Sequence, residues 1–598
     1  MIQCKFWCQR TKWLAAIGAA FVTCAFAVRT FGQVAAPSPE VAAPPNIIVS
    51  NLQGIVIVPR IEDVIREGLT GVRGIVIKGP EFLRRKSFAQ LLQRYLGSPL
   101  TDASLSQMQV DIRKYCQAHD HLVVDVVSRE QEILEGTIQI MVLEATVGKR
   151  KVVNDGRKWF ADSIILRDLR LKPGDVVLES RLNSDLNLMN RNNYQSLGYD
   201  GFNGSFREVT ASFHQGDLGK TDVELKVEDR FPFRPFVGVE DSGIEEIGRD
   251  RLFVGFNWAN ALWLDHRLTY EYVTDTDFNK LREHVVSYII PLPWRHELTF
   301  FGAYADVNPD FSLHNITNLV GKGTFYQLSA RYGVPLPPLN KLEHELSAGF
   351  DFKRTDTPIL FVSPGVPSTA NNITKTNNID VAQFILAYSG RVPDSRGMTF
   401  FSLQGVYSPG DLTAHNKRPD YQDFAPGTKP EYLYARAEIR RETPLPYGFV
   451  WHARALGQYS DAKLGATELF SLGGYDTVRG YDEKIVSGDH GWLVVNELRS
   501  PRFVLGSLTG KANASDWLQG LAFCDYGEAI NRNLQQLQRY NEVLLSVGAG
   551  LRYAVADNFH VRLDYGFQLD REYASSSNFK NLKNVPDRRA HFGVELSF

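Results

Sequence analysis

Past residue 230 apolar and polar side chains take turns along the chain, and that two-residue period limits what it can become. In LSVGAGLRYAV the residues Leu545, Val547, Ala549, Leu551, Tyr553 and Val555 alternate with Ser546, Gly548, Gly550, Arg552 and Ala554. VRLDYGFQL sets Val561, Leu563, Tyr565, Phe567 and Leu569 against Arg562, Asp564, Gly566 and Gln568. ELSAGFDFK and YQLSARYGV follow the same rule upstream, and the chain ends AHFGVELSF, with Ala590, Phe592, Val594, Leu596 and Phe598 opposing His591, Gly593, Glu595 and Ser597. Neighbouring side chains of a strand point to opposite faces, so each segment reads as a strand with one apolar face.

A soluble sandwich satisfies the same pattern. Three features favour a transmembrane barrel instead: alternating segments of about 9 to 11 residues, strand ends marked by Tyr, Trp and Phe, and an export signal. In that signal Lys5, Arg10 and Lys12 precede an apolar run from Trp13 to Val28, and Ala25-Phe26-Ala27 offers a cleavage site, giving a signal peptide over 1–27. The alternative, a membrane anchor, needs an apolar run of about 20 residues. No later segment is apolar enough for a membrane helix, so a second encounter with a membrane must be made by a barrel. Residues 230–598 suit about 16 strands.

Of five cysteines, Cys4, Cys8 and Cys24 fall in the signal, leaving Cys116 and Cys524, which make neither a disulfide framework nor a metal site. Lys and Arg number 66 against 68 acids, a balance that argues against nucleic acid as a partner.

Between signal and barrel the period is mixed. VAAPSPEVAAPPN at 34–46 reads as an extended linker, and 28–73 is expected to hold that linker and a possible N-terminal plug segment. Within it IIVSNLQGIVIV reads as a strand and RIEDVIREGL as a short helix. From 74 to 145 the order is strand (GIVIKG), helix ended by Gly97, helix capped at Thr101 or Asp102, and two paired strands. A comparable order fills 146–229. Small three-stranded modules with an open sheet edge bind an extended peptide by adding it as a strand, or act as spacers. The fold class expected is therefore mainly β: a C-terminal antiparallel transmembrane barrel of about 16 strands preceded by two α/β modules.

Two short motifs stand in the barrel region. GGYDTVRGYDE spans 473–483, and LAFCDYGEA contains FCDYG at 523–527. By the two-residue period Phe523, Asp525 and Gly527 share one face, while Ala522, Cys524 and Tyr526 share the other. That second face is apolar apart from one hydroxyl and suits lipid, so Asp525 is expected to point inward.

An export signal, two modules, a barrel ending in Phe598, VRGY at 478–481 and FCDYG at 523–527, in this order, resemble the transporter of two-partner secretion, the haemolysin and filamentous-haemagglutinin transporter family of the ShlB/FhaC/HecB type, within the superfamily of barrels bearing POTRA modules. The resemblance implies that Val478, Arg479, Gly480 and Tyr481 tip a long loop folded back into the lumen, where the arginine meets the wall motif Phe523, Asp525 and Gly527. A planar guanidinium can make two parallel hydrogen bonds to a carboxylate, which lysine cannot copy. Gly480 would let the tip turn, and Gly527 would leave room for it. The resemblance further implies that POTRA modules at 74–145 and 146–229, lying in the periplasm, capture an unfolded exoprotein. The barrel then exports it across the bacterial outer membrane, and the client folds outside, commonly as a long β-helix. Phe598 would be the assembly signal read by the barrel assembly machinery that inserts the chain into outer-membrane lipid. Some members also activate a haemolysin or adhesin. A plug helix is common ahead of the first module, where this chain begins with a strand-like run.

Neither nucleotide nor metal is expected, and no cofactor. GDLGKTD at 216–222 ends like a phosphate loop, but His214 stands where the first glycine is needed, so it reads as a hairpin turn. No HExxH or G-x-S-x-G occurs, and no enzyme is expected. The alternatives are a barrel-assembly factor, a porin-like channel with periplasmic domains, and a soluble β-rich surface-binding protein.

Overall fold

The computed structural model describes residues 46–191, 193–195, 203–217, 219–309, 323–356, 378–506, 515–532, 540–570 and 587–598. The expected signal peptide at 1–27 and the linker up to 45 lie outside the described residues.

The first module is a four-stranded sheet in the order Gly74–Ile77, Gly54–Val58, Thr137–Glu144, Val124–Val127. Gly54–Val58 runs parallel to both neighbours and is buried throughout. Ile55 and Ile57 pack with Phe88 and Leu92 of the helix Lys86–Gln93 and with Met108, Ile112 and Cys116 of the helix Asp102–Ala118. Val56 and Val58 meet Met141, Ile61 and Val64 on the opposite face. GIVIV is apolar without alternation because it is covered on both sides, as the centre of a parallel sheet requires. The module boundary expected at 74 therefore differs from the structure, which draws part of the expected linker and plug segment into the centre of the sheet. The helix expected over RIEDVIREGL is only the single turn Ile61–Asp63. There the Gln139 amide takes the place of helical partners, accepting from the Ile65 N–H at 3.0 Å and donating to its carbonyl at 2.8 Å. Thr101 is the helix cap: its hydroxyl accepts from the Ser104 N–H at 3.2 Å, and the Ser104 hydroxyl accepts from the Thr101 N–H at 2.7 Å. Burial pushes the Cys116 thiol up to about 12, keeping it a protonated member of the apolar core.

The second module has the sheet order Arg207–Gln215, Lys220–Asp229, Thr146–Asn154, with the helices Asp162–Asp168 and Glu179–Met189 supplying Ile165 and Leu182 to its core. The strands on either side of GDLGKTD pair antiparallel, with Gln215 opposite Thr221. Asp120 ties the modules together, its carboxylate accepting from the Ser180 N–H and hydroxyl, both at 2.6 Å.

Among the described residues sixteen antiparallel strands, from Phe233–Glu240 to Arg588–Ser597, form a closed barrel. The last strand pairs with the first from Phe236 opposite Ser597 to Glu240 opposite Gly593. Its faces are inverted relative to a soluble sandwich. Leu328, Leu386, Leu403, Leu433 and Ile439 are at least half exposed, while Glu497, Asp525, Arg552, Arg562 and Asp564 are buried. A surface that shows leucine to its solvent and hides charge fits hydrocarbon outside and a polar interior. Phe598 follows the closing strand, exposed, its N–H donating to the Pro235 carbonyl at 3.0 Å.

The second module is anchored to the short turns at one end of the barrel. Arg295 donates to Asp185 at 2.7 Å and to the Asp168 carbonyl at 2.9 Å, and Asp185 also accepts from Arg170 at 2.7 Å. Asp265 takes Arg207 at 3.1 Å and Arg167 at 3.0 Å. Replacing Asp185 by alanine leaves Arg170 and Arg295 facing one another. Because Arg170 is 39% exposed, the expected cost is about 1–3 kcal/mol, less than for a fully enclosed pair. Protease cleavage between module and barrel should accelerate in Asp185→Ala, and an unchanged cleavage rate would show that the anchoring lies elsewhere.

Candidate functional site

Antiparallel strands place alternate connections at opposite ends of the barrel, and the connection 461–489 arises at the end away from the modules. It does not stay there. Phe470–Leu472 pairs antiparallel with Val486–Gly488, and the residues between them turn down against the inner wall. Val478 and Tyr481, both fully buried, pack with Phe470 and Leu472 and with the wall residues Leu493, Val495 and Leu544. The apolar side chains of a loop inside a polar lumen are stable only where the wall offers apolar contact, and the inner face of His490–Arg499 carries Leu493 and Val495 ahead of Glu497 and Arg499.

Arg479 is 2% exposed. Its Nε and Nη2 donate to the two oxygens of Asp525 at 2.8 and 2.9 Å, and its backbone N–H reaches Oδ2 at 3.1 Å. Nη1 donates to Glu497 at 2.7 Å. The guanidinium carbon lies 3.7 Å from the centre of the Phe523 ring, a stacked cation–π position. Arg499 donates to the other Glu497 oxygen at 2.8 Å. Asp564, 3.8 Å from Arg479, accepts from Arg552 at 2.9 and 3.0 Å and from Arg562 at 2.9 Å. Arg562 also reaches back to the loop, donating to Asp476 at 3.0 Å and to the Tyr475 carbonyl. Charges withdrawn from water need partners this close: Glu497 lies between Arg479 and Arg499, Asp564 lies among Arg479, Arg552 and Arg562, and Asp525 is held by Arg479.

Backbone contacts complete the docking. The Gly480 N–H donates to His591 Nε2 at 3.1 Å, so that nitrogen is the acceptor, and His591 Nδ1 faces Asp241 at 3.1 Å. The Gly480 carbonyl accepts from Gln568 at 2.7 Å. Gly480 has φ +90°, and a Cβ there would come within 2.8 Å of the Gly566 carbonyl carbon. A Cβ at Gly527 would meet the Leu472 side chain at 2.8 Å and Val478 at 3.1 Å.

The structure thus brings Val478, Arg479, Gly480 and Tyr481 together with Phe523, Asp525 and Gly527, and leaves Phe598 apart at the end of the closing strand. Glu497, Arg552, Arg562, Asp564, Gly566 and His591 belong to the same site; none is singled out by a sequence motif, and all but Glu497 stand in the sequence only on the polar face of an alternating strand. One signal was present: Asp525-Tyr526-Gly527 recurs as Asp564-Tyr565-Gly566. In both copies the aspartate takes an arginine and the glycine faces the loop. Among the described residues no group of His, Cys, Asp or Glu is arranged to hold a metal.

Comparisons with known proteins bear on the family and the fold. The family described as haemolysin secretion/activation protein ShlB/FhaC/HecB matches residues 219–553, and the ShlB-type POTRA domain matches 71–145. The heme/hemopexin transporter protein HuxB of Haemophilus influenzae is 22% identical over 497 residues, 81% of this chain and 80% of the relative. Among solved structures, CdiB from Escherichia coli superposes with a TM-score of 0.65 at 16% identity, covering 94% of this chain and 93% of that one. CdiB from Acinetobacter baumannii gives 0.57 at 17%, covering 99% and 98%. At these identities the structural likeness speaks for the fold.

Proposed function

The chain belongs to the haemolysin secretion/activation protein family ShlB/FhaC/HecB and is an outer-membrane transporter of two-partner secretion, and from that premise we propose how its parts divide the work. The two modules lie in the periplasm and hold an unfolded exoprotein as an added strand. The edge strands of the two sheets support this: Val124–Val127 and Gly74–Ile77 flank the first, and Arg207–Gln215 borders the second. An extended client supplies the unpaired backbone that such an edge needs. The barrel conducts the client outward, and folding outside, as a large β-helical protein, favours forward movement. Arg479 and Asp525 keep the loop in its conducting position. Phe598, exposed beside the barrel seam, is read by the assembly machinery during insertion.

The observation that carries this reading is the buried Arg479–Asp525 pair inside a lipid-facing barrel that bears two modules. A diffusion porin has no use for a loop docked by seven buried charges or for modules clamped to its turns. The test compares the proteins of the medium and of the outer membrane between the parent strain and a deletion of this gene. One or a few large proteins should vanish from the medium while other barrels keep their levels. If many barrels fall together, the chain is an assembly factor and the reading is wrong.

A further inference from the structure

The lumenal loop is held a second time, on another arc of the wall. Glu468 closes the single turn Ala466–Glu468 and is 1% exposed. Its carboxylate accepts from Lys353 Nζ at 2.6 Å, from the Tyr434 hydroxyl at 2.7 Å and from the Gln383 amide at 3.2 Å, and its carbonyl accepts from Gln458 at 3.0 Å. These partners come from Glu343–Thr355, Ile379–Asp394, Glu431–Pro444 and Val450–Ser460. Arg479 is held by different strands, His490–Arg499 and Asp516–Ile530, with Gly480 reaching Arg588–Ser597. Gln383 is itself fixed by the Tyr432 hydroxyl at 2.8 Å and donates to Asp351 at 3.3 Å, which takes Arg331 at 2.6 Å. Ala462 and Leu464, leading into the turn, pack with Tyr421, Tyr432 and Tyr434.

We propose that Glu468 is a positioning residue for this loop: with Lys353 it forms a second latch that holds the first arm of the loop independently of the Arg479 latch at its tip. An enclosed ion pair is held by both partners, so removing either one leaves the other buried without its counter-charge and loosens the arm from the wall. Gly473 and Gly474, at φ +104° and +101°, stand between the two latches. They form a joint that lets one segment move while the other stays docked. The loop is released completely only when both latches open, so one ion pair can give way during transport without the loop losing its place.

The inference rests on the transport reading only in the use made of the loop, so the test reads the loop without a client. Amide hydrogen exchange, resolved by peptide, is measured on the full-length chain in detergent, with heat-shifted gel migration reporting barrel closure in each variant. Glu468→Gln should speed exchange of 461–468 by about a hundredfold while 475–482 keeps its protection. Arg479→Ala should do the reverse, and the double variant should free both. Lys353→Met, which leaves the loop sequence untouched, should reproduce the effect of Glu468→Gln, add nothing when combined with it, and be avoided by Lys353→Arg. The proposal fails if Glu468→Gln leaves the arm protected, or if it loosens arm and tip alike. Exchange that behaves as expected in a chain whose deletion spares every secreted protein would overturn the transport reading and leave the second latch standing.

Discussion

Arg479→Lys is expected to lower export of the partner protein by about tenfold or more, although charge and approximate length are kept. Arg479 makes four hydrogen bonds at once: two from the guanidinium edge to Asp525, one to Glu497 and one from its backbone to Asp525. An ammonium is a point donor, so it can face Asp525 or Glu497 but cannot span both while stacking on Phe523. Glu497 keeps Arg499, but Asp525 left behind would be buried without a cation, a situation that typically costs about 3–5 kcal/mol and shifts the docked loop toward release. Asp525→Asn should act in the same direction, because it leaves Arg479 with Glu497 alone among its two closest acids. Partner protein in the medium is measured against the amount of barrel in the outer membrane. Parental export by Arg479→Lys at normal barrel level would mean that bidentate pairing is not what the loop requires.

Much of this site could be read from a single sequence because strand geometry is local. The two-residue period alone assigns Asp525 to the lumen and Cys524 and Tyr526 to lipid, and it does so without knowing any neighbour. Which other inward residues surround Asp525 depends on register between strands far apart in sequence. Asp525 stands opposite Val495 on one side and Ser546 on the other. Glu497 comes near only through that pairing, and in VVNELR it looks like any lumen-facing acid. Asp564 and Gly566 are a different case, since the repeated Asp-Tyr-Gly triplet is local, but alternation alone does not tell it from any other inward-facing pair. The extent of the first module is hidden in the sequence for a physical reason as well. GIVIV carries no period because both its faces are covered, and a strand without period does not announce which sheet it completes. Its place at the centre, between Gly74–Ile77 and Thr137–Glu144, follows from parallel partners that are remote in sequence.

A substitution that leaves every charge in place separates position from electrostatics. Gly566→Ala is expected to reduce export by about tenfold, since overpacking a contact of this kind typically costs about 1–3 kcal/mol. The added methyl would stand 2.7 Å from both the Cα and the N of Gly480. Those atoms are backbone, so no side chain can swing aside, and the tip must lift by the better part of an ångström. Lifting strains the bonds that Gly480 makes to His591 and Gln568. Gly566 lies within the strand Phe559–Gln568 and has no positive φ, so the alanine is not penalised by its own backbone. Gly480→Ala should be more severe, because it combines the same overlap with a φ of +90° that side chains rarely adopt. The control is Gly520→Ala on the strand that carries Asp525, where the nearest atom to the new methyl is the Ser500 hydroxyl at 3.8 Å. That variant should export at the parental level. Heat-shifted migration should be normal in all three, since the barrel closes without the loop tip. If Gly566→Ala exports as well as Gly520→Ala, the loop does not work from the seat on the strand Phe559–Gln568, and the ion pair acts from some other arrangement. If it fails while Arg479 and Asp525 are both present, the pair holds the loop only when the two glycines let backbone lie directly on backbone.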